Sequence, residues 1–145
     1  MNRYLLDTNI ISHVTKPVPV ESLISWMADQ EDETLFIASM TIGEIQRGLL
    51  EKPAGKKRAA LEQWFSGPMG LRAIFAGRVL SFDEKAALVW ARLMSAGTAK
   101  GRSRSALDMI IAAVAEANGC TVVTDNEKDF VGIPFVNPLR NMAHK

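Results

Sequence analysis

Three carboxylates, Asp7, Glu44 and Asp108, stand where an apolar run meets an amphipathic stretch. Asp7 directly follows Tyr4-Leu5-Leu6, and Glu44 comes shortly after Leu35-Phe36-Ile37-Ala38. Asp108 opens the stripe Leu107, Ile110, Ile111 and Val114. Asp125, Asn126 and Asp129 follow a fourth apolar run, residues 120–124. Acids gathered in one cleft push each other toward protonation unless a cation compensates. Mg²⁺ or Mn²⁺ suits hard oxygen donors, and one cysteine with two histidines offers no soft-ligand set. A bound divalent ion lowers the pKa of a water and stabilises charge on a phosphoryl oxygen. Nothing else in the chain offers comparable chemistry. His13 and His144 are far apart and suggest no triad, and there is no Gly-rich phosphate loop.

Each acid also has a purely structural reading. Thr41-x-x-Glu44 and Ser105-x-x-Asp108 have the form of capping boxes, and Asp7 could cap the helix after it. Two details favour chemistry. Ile111, Ala112 and Ala115 follow Asp108 at i+3, i+4 and i+7, so the acid borders a buried face. Asp7 abuts an apolar strand, where an unpaired carboxylate is costly.

The elements that must position these acids are legible in outline. Apolar runs predict strands at 4–6, 35–38 and 120–124, with weaker ones at 79–80 and 135–136. Helical spacing predicts helices over 20–27 and 41–51, another beginning near Leu61, and one after an Asp83 N-cap carrying Ala87, Trp90, Ala91 and Met94. The clearest stripe runs from Leu107 to an Asn118-Gly119 stop. Residues 29–33, 52–58 and 98–104 read as solvated loops. Strands apolar on both faces, alternating with amphipathic helices, predict a parallel sheet covered on both sides. Ligands in such folds gather outside the carboxyl ends of the strands. Asp7, Glu44 and the residues after Thr124 share that edge. Asp108 joins them if its helix starts there, as a right-handed crossover requires.

Composition bounds the rest. The chain has 145 residues, a net charge of +1, 48% hydrophobic and 23% charged residues, which predicts one globular domain over residues 1–145 and excludes a polybasic or disordered chain. The single cysteine, Cys120, excludes a disulfide framework and fits a reducing cytoplasm. Asp7 interrupts any signal-peptide core, and no run reaches the roughly 18 apolar residues of a membrane span.

The segments Leu6-Asp7-Thr8-Asn9-Ile10-Ile11-Ser12, Ser39-x-x-x-x-Glu44 with Gly48, Phe82-Asp83, Asp108-x-x-Ile111-Ala112-Ala113-x-Ala115, Val123-Thr124-x-Asn126-x-x-Asp129-Phe130 and Asn137-Pro138 occur in this order. Together they resemble the VapC-type PIN-domain toxins, including the FitB-like members, the ribonuclease halves of bacterial toxin–antitoxin modules. The resemblance covers nearly the whole chain. It implies a three-layer α/β/α sandwich with a mostly parallel sheet of four or five strands. It also implies a Mg²⁺- or Mn²⁺-dependent endoribonuclease, dimeric and silenced by a small VapB-like antitoxin through which alone it meets DNA. By the same resemblance Asp7 and Asp108 match acids that hold the metal directly. Glu44 matches a third acid, a ligand through water or the orienter of the attacking water, and Thr8 and Thr124 match hydroxyls beside the site. The fourth acidic position is Asn126 here, with Asp125 and Asp129 as possible substitutes. Basic residues flanking the cleft would hold RNA: Lys52, Lys56, Lys57 and Arg58 form one set, Lys100, Arg102 and Arg104 another. Trp26, Trp64 and Trp90, spaced among apolar residues, are expected in the core rather than as base-stacking platforms.

Two rivals compete with this reading. A phosphoacceptor signalling domain would want adjacent acids after the first strand, where only Asp7 stands. A catalytically weak module acting within a DNA-binding toxin–antitoxin complex would use the acids only as caps.

Overall fold

The computed structural model describes residues 2–14 and 18–140, so His144 lies outside the described residues. The chain starts in the middle of its sheet. Strand β1 (Tyr4–Leu6) is followed by α1 (Thr8–Val14) and α2 (Glu21–Ala28), then by β2 (Leu35–Ala38), which pairs with β1 in parallel. Next come α3 (Ser39–Leu50), α4 (Lys56–Ser66), α5 (Leu71–Ile74) and the two-residue edge strand β3 (Val79–Leu80). The helices α6 (Glu84–Ala99) and α7 (Ala106–Ala117) then return the chain to the sheet's middle. There β4 (Thr121–Val123) pairs with β1 on its free side, and β5 (Phe135–Val136) closes the sheet. The order is β3-β2-β1-β4-β5, all parallel. Strand order reverses between β1 and β4, which opens a crevice at their carboxyl ends.

Alternation along the strands sends side chains into two cores. Leu5, Ala38 and Val122 pack with Met109, Ile111 and Leu93 of α6 and α7. Leu6, Ile37 and Val123 pack with Ile10, Leu23, Leu49 and Phe65 on the opposite face. This is the expected three-layer arrangement. The tryptophans are half-buried beside these cores: Trp26 meets Tyr4 edge-on with centroids 5.0 Å apart, and the Trp90 indole donates to the Ala106 carbonyl at 3.1 Å.

Several boundaries differ from the sequence expectation. Helix α3 starts at Ser39, immediately after β2, because Ala38 serves as the N-cap. Residues Lys56–Arg58, expected in a loop, form the first turn of α4. Helix α5 was not expected, since Gly67, Pro68 and Gly70 mask a short turn that buries Leu71. Helix α6 continues to Ala99 through a polar string, because its buried Leu93 and Gly97 pack inward and tertiary contact overrides weak propensity. It stops at Gly101, whose φ of +70° suits only a residue without a β-carbon.

Because Leu5 is wholly buried and Leu88 is 69% exposed, truncating them should differ sharply. Leu5→Ala is expected to cost about 2–5 kcal/mol in urea unfolding, whereas Leu88→Ala stays within about 0.5 kcal/mol.

Candidate active site

The site begins as one more rung of the sheet. Leu6 of β1 is in register with Val123 of β4, so the next residues, Asp7 and Thr124, come side by side just past the strand ends. The Asp7 amide donates to the Val123 carbonyl at 2.9 Å, and the Thr124 amide donates to the Val136 carbonyl at 3.0 Å. Across the rung, the Thr124 hydroxyl donates to Asp7 Oδ2 at 2.9 Å. That hydroxyl accepts from the Asn126 amide at 3.0 Å and from Asn9 Nδ2 at 3.4 Å, so its single proton is committed to Asp7. Asp7 Oδ1 accepts from the Thr8 amide at 2.8 Å, a local bond at the start of α1. Asp7 is 6% exposed, and burial pushes its pKa up. The bonds from Thr124 and Thr8 oppose the rise, while the charges of Glu44 and Asp129 add to it.

Glu44 enters from α3. Its Oε1 accepts from the Thr8 hydroxyl at 2.6 Å, and the buried Thr41 Oγ1 stands 3.2 Å from the same hydroxyl. The capping box suggested by Thr41-x-x-Glu44 does not form, because α3 starts two residues earlier and Thr41 lies inside it. At α7, in contrast, Ser105 is a true N-cap, accepting from the Asp108 amide at 3.2 Å. The half-buried Asp108 carboxyl is pushed up to about 6, first by burial, then by the charges of Asp7 and Asp129 and a hydrogen bond with Asp129; Ser105 opposes the rise.

Asp129 thus faces the cleft from the short 3₁₀ turn Glu127–Phe130, and the Asn126 amide nitrogen donates to its Oδ2. Asn126 orients the fourth acid. Asp125 turns elsewhere: its carboxylate lies 3.4 Å from His13 Nε2 and accepts from Asn137 Nδ2 at 3.4 Å. Asn9 and Thr41, which sequence reasoning missed, carry no signal beyond their neighbours.

The basic candidates separate into two kinds. Lys52 and Lys57 line an open groove of about 460 Å³ with Thr8, Glu44 and Trp64, and Lys56 is exposed nearby. Lys100 and Arg102 are exposed. Arg58 and Arg104 are tied into the fold. Arg58 donates to the Lys52 carbonyl at 3.1 Å and pairs with Glu62 at 3.5 Å, while Arg104 donates to the Leu93 and Val131 carbonyls at 2.7 and 3.2 Å. These contacts hold the two guanidiniums against the protein and leave each with N–H groups to spare.

Among the described residues, no lysine or arginine pairs with Asp7, Glu44, Asp108 or Asp129, although Glu51, Glu62, Glu116 and Glu127 all have such partners. The donor set is hard oxygen with its charge uncompensated, which fits Mg²⁺ or Mn²⁺. Among the described residues, no three His, Cys, Asp or Glu side chains are arranged as a closed ligand set.

Raised pKa values make a pH dependence with a definite sign. A carboxyl that holds its proton more tightly when folded contributes stability below its unfolded value, and this is lost as pH rises through the folded one. In EDTA, the melting temperature should fall between pH 4 and 6, from the ordinary carboxylate value to that of Asp108. Asp108→Asn should flatten this fall and melt higher than the unaltered chain at pH 8.

The PIN domain sequence profile matches residues 4–136. VapC ribonuclease Y4jK of Sinorhizobium fredii is 37% identical over 136 residues, covering 92% of this chain and 96% of that protein. Toxin FitB of Neisseria gonorrhoeae is 32% identical over 126 residues, covering 87% and 89%. The structure resembles that of FitAB bound to the IR36 DNA fragment, with a TM-score of 0.88, 30% identity and coverage of 98% and 99%. It also resembles the crystal structure of FitAcB from Neisseria gonorrhoeae, with a TM-score of 0.85, 32% identity and coverage of 95% and 99%. With acids gathered at the carboxyl edge of a parallel sheet and this likeness along nearly its full length, the chain belongs to the PIN-domain family.

Proposed function

We propose that this chain, working as one domain over residues 1–145, is the toxic endoribonuclease of a bacterial toxin–antitoxin pair. It cuts RNA phosphodiester bonds in the cytoplasm, acts as a homodimer, and is neutralised by a small cognate antitoxin. The observation that carries the reading is the set of four carboxylates sharing one cleft without a cationic partner among the described residues. The names of the relatives, a VapC ribonuclease and a FitB toxin, support the same reading. The similar FitAB assembly is bound to a DNA fragment, and we assign DNA contact to the antitoxin. Among the described residues no helix is long and apolar enough to cross a membrane.

Asp7 and Asp108 would hold Mg²⁺ or Mn²⁺, with Asp129 filling the position that the sequence pattern gives to Asn126. When bound, such an ion lowers the pKa of a water and stabilises negative charge on a phosphoryl oxygen. Thr124 and Thr8 fix the Asp7 carboxylate through its two oxygens, so that it is positioned before substrate arrives. The Thr8 hydroxyl engages Glu44 Oε1, leaving Oε2 to accept the proton of the attacking water. The water oxygen bonds to phosphorus as the ester P–O bond breaks, and the departing ribose oxygen takes a proton from solvent. Asn126 keeps Asp129 turned to the cleft. Lys52, Lys56, Lys57, Lys100 and Arg102 are exposed cations available to the RNA backbone.

Purified protein with Mg²⁺ should cleave an unstructured RNA, and Asp7→Asn and Asp108→Asn should each reduce cleavage to background. Asn126→Ala should cost about 10–100-fold, as removing an orienting partner does; Asp125→Asn should stay near the parental rate. Equal cleavage by the parent and both carboxylate variants would reveal a contaminant and remove the enzyme reading. Mg²⁺ at about 100 times its Kd should add about 2.7 kcal/mol of stability, visible as a higher melting temperature that Asp108→Asn abolishes.

A further inference from the structure

A cationic hollow adjoins the acid cleft and shares a wall with it. It opens between the loop before α7 and the turn carrying Asp129, lined by Arg102, Ser103, Arg104, Lys128 and Asp129, with a volume of about 60 Å³. That is several times the roughly 15 Å³ one water requires. Arg102 and Lys128 are exposed, and among the described residues their side chains have no hydrogen-bonding or ionic partner. Lys128 precedes Asp129 in the same short turn.

Arg104 explains why the two free cations stand together. It ties three segments: the loop that carries it, α6 through the Leu93 carbonyl, and the strand-ward segment through the Val131 carbonyl. Its stem crosses α6 at Gly97, where a β-carbon would come within 2.7 Å of Arg104 Cδ. The Arg102 amide donates to the Gly97 carbonyl at 2.8 Å, which fixes the loop on the same spot.

A cleft holding four unneutralised carboxylates repels a polyanion, so unpaired cations at its rim decide where the backbone settles. Arg102, Arg104 and Lys128 line the hollow together with a single carboxylate, Asp129, and none of the three forms an ion pair with it among the described residues. We propose that Arg102 and Lys128 form a phosphate subsite for the RNA backbone next to the bond cut at the acids, with Arg104 as the positioning residue that holds them together. The proposal rests on the ribonuclease reading.

The test is the salt dependence of binding of an unstructured oligoribonucleotide to the 145-residue chain carrying Asp7→Asn. Each phosphate contact contributes about 0.7 to the slope of log affinity against log salt for a single strand. Adding Arg102→Ala and Lys128→Ala together should lower the slope by about 1.4 and weaken low-salt binding on the order of tenfold. Arg102→Lys should keep most of the slope. Arg3→Ala, which removes one charge before β1 at the opposite sheet edge, should leave it unchanged, whereas Arg102→Ala alone lowers it by about 0.7. An unaltered slope in the double variant, or an equal fall with Arg3→Ala, overturns the subsite. Cleavage by the unaltered chain, measured alongside, separates the two claims: cutting with an unaltered slope sinks the subsite alone, and neither cutting nor binding sinks both.

Discussion

Asp7 is a carboxylate at 6% exposure with three other acids around it and no positive side chain against it among the described residues. A buried charge of this kind is expensive, and a chain selected only for stability would replace or pair it. Instead the fold invests in holding it. A cross-strand threonine donates to one oxygen and the first amide of α1 to the other. Electrostatic tension in one crevice organises the surrounding structure: Thr8, Thr124 and Asn126 each bond an acid, and Thr41 meets the Thr8 hydroxyl.

The topology makes this crowding possible. Since β1 lies at the sheet's centre and β4 returns beside it after β2 and β3 have filled one edge, the carboxyl ends of β1 and β4 lie side by side. Helix α3 leaves β2 with no intervening residue, which brings Glu44 to the same rim. Helix α7 contributes Asp108 from its first turn, where Ser105 caps the helix through the Asp108 amide and also bonds its carboxyl, which Asp7 and Asp129 face as well.

Much of this could be read from the residues, since doubly apolar strands have a short and strong signature. Tyr4–Leu6, Leu35–Ala38 and Phe135–Val136 fall where the apolar runs place them. The stripe from Leu107 to Val114 marks α7 for the same reason. Local chemistry was harder. Thr41-x-x-Glu44 has the form of a cap, yet helix start is decided by Ala38 and the strand before it. The choice between Asp125 and Asp129 was open because two residues of turn geometry decide which carboxylate faces inward, and His13, distant in sequence, draws Asp125 away. Likewise nothing in a string of arginines distinguishes Arg104, engaged by two carbonyls, from Arg102, free on the surface. Those differences are tertiary, and one-dimensional spacing does not encode them.

The outermost strands, β3 and β5, are only two residues long. A strand donated by another molecule would find almost no ladder to extend on either side, which blunts the usual route by which sheets stick edge to edge. Open-ended polymerisation through the backbone is thereby disfavoured, because each added copy would gain only a two-residue ladder.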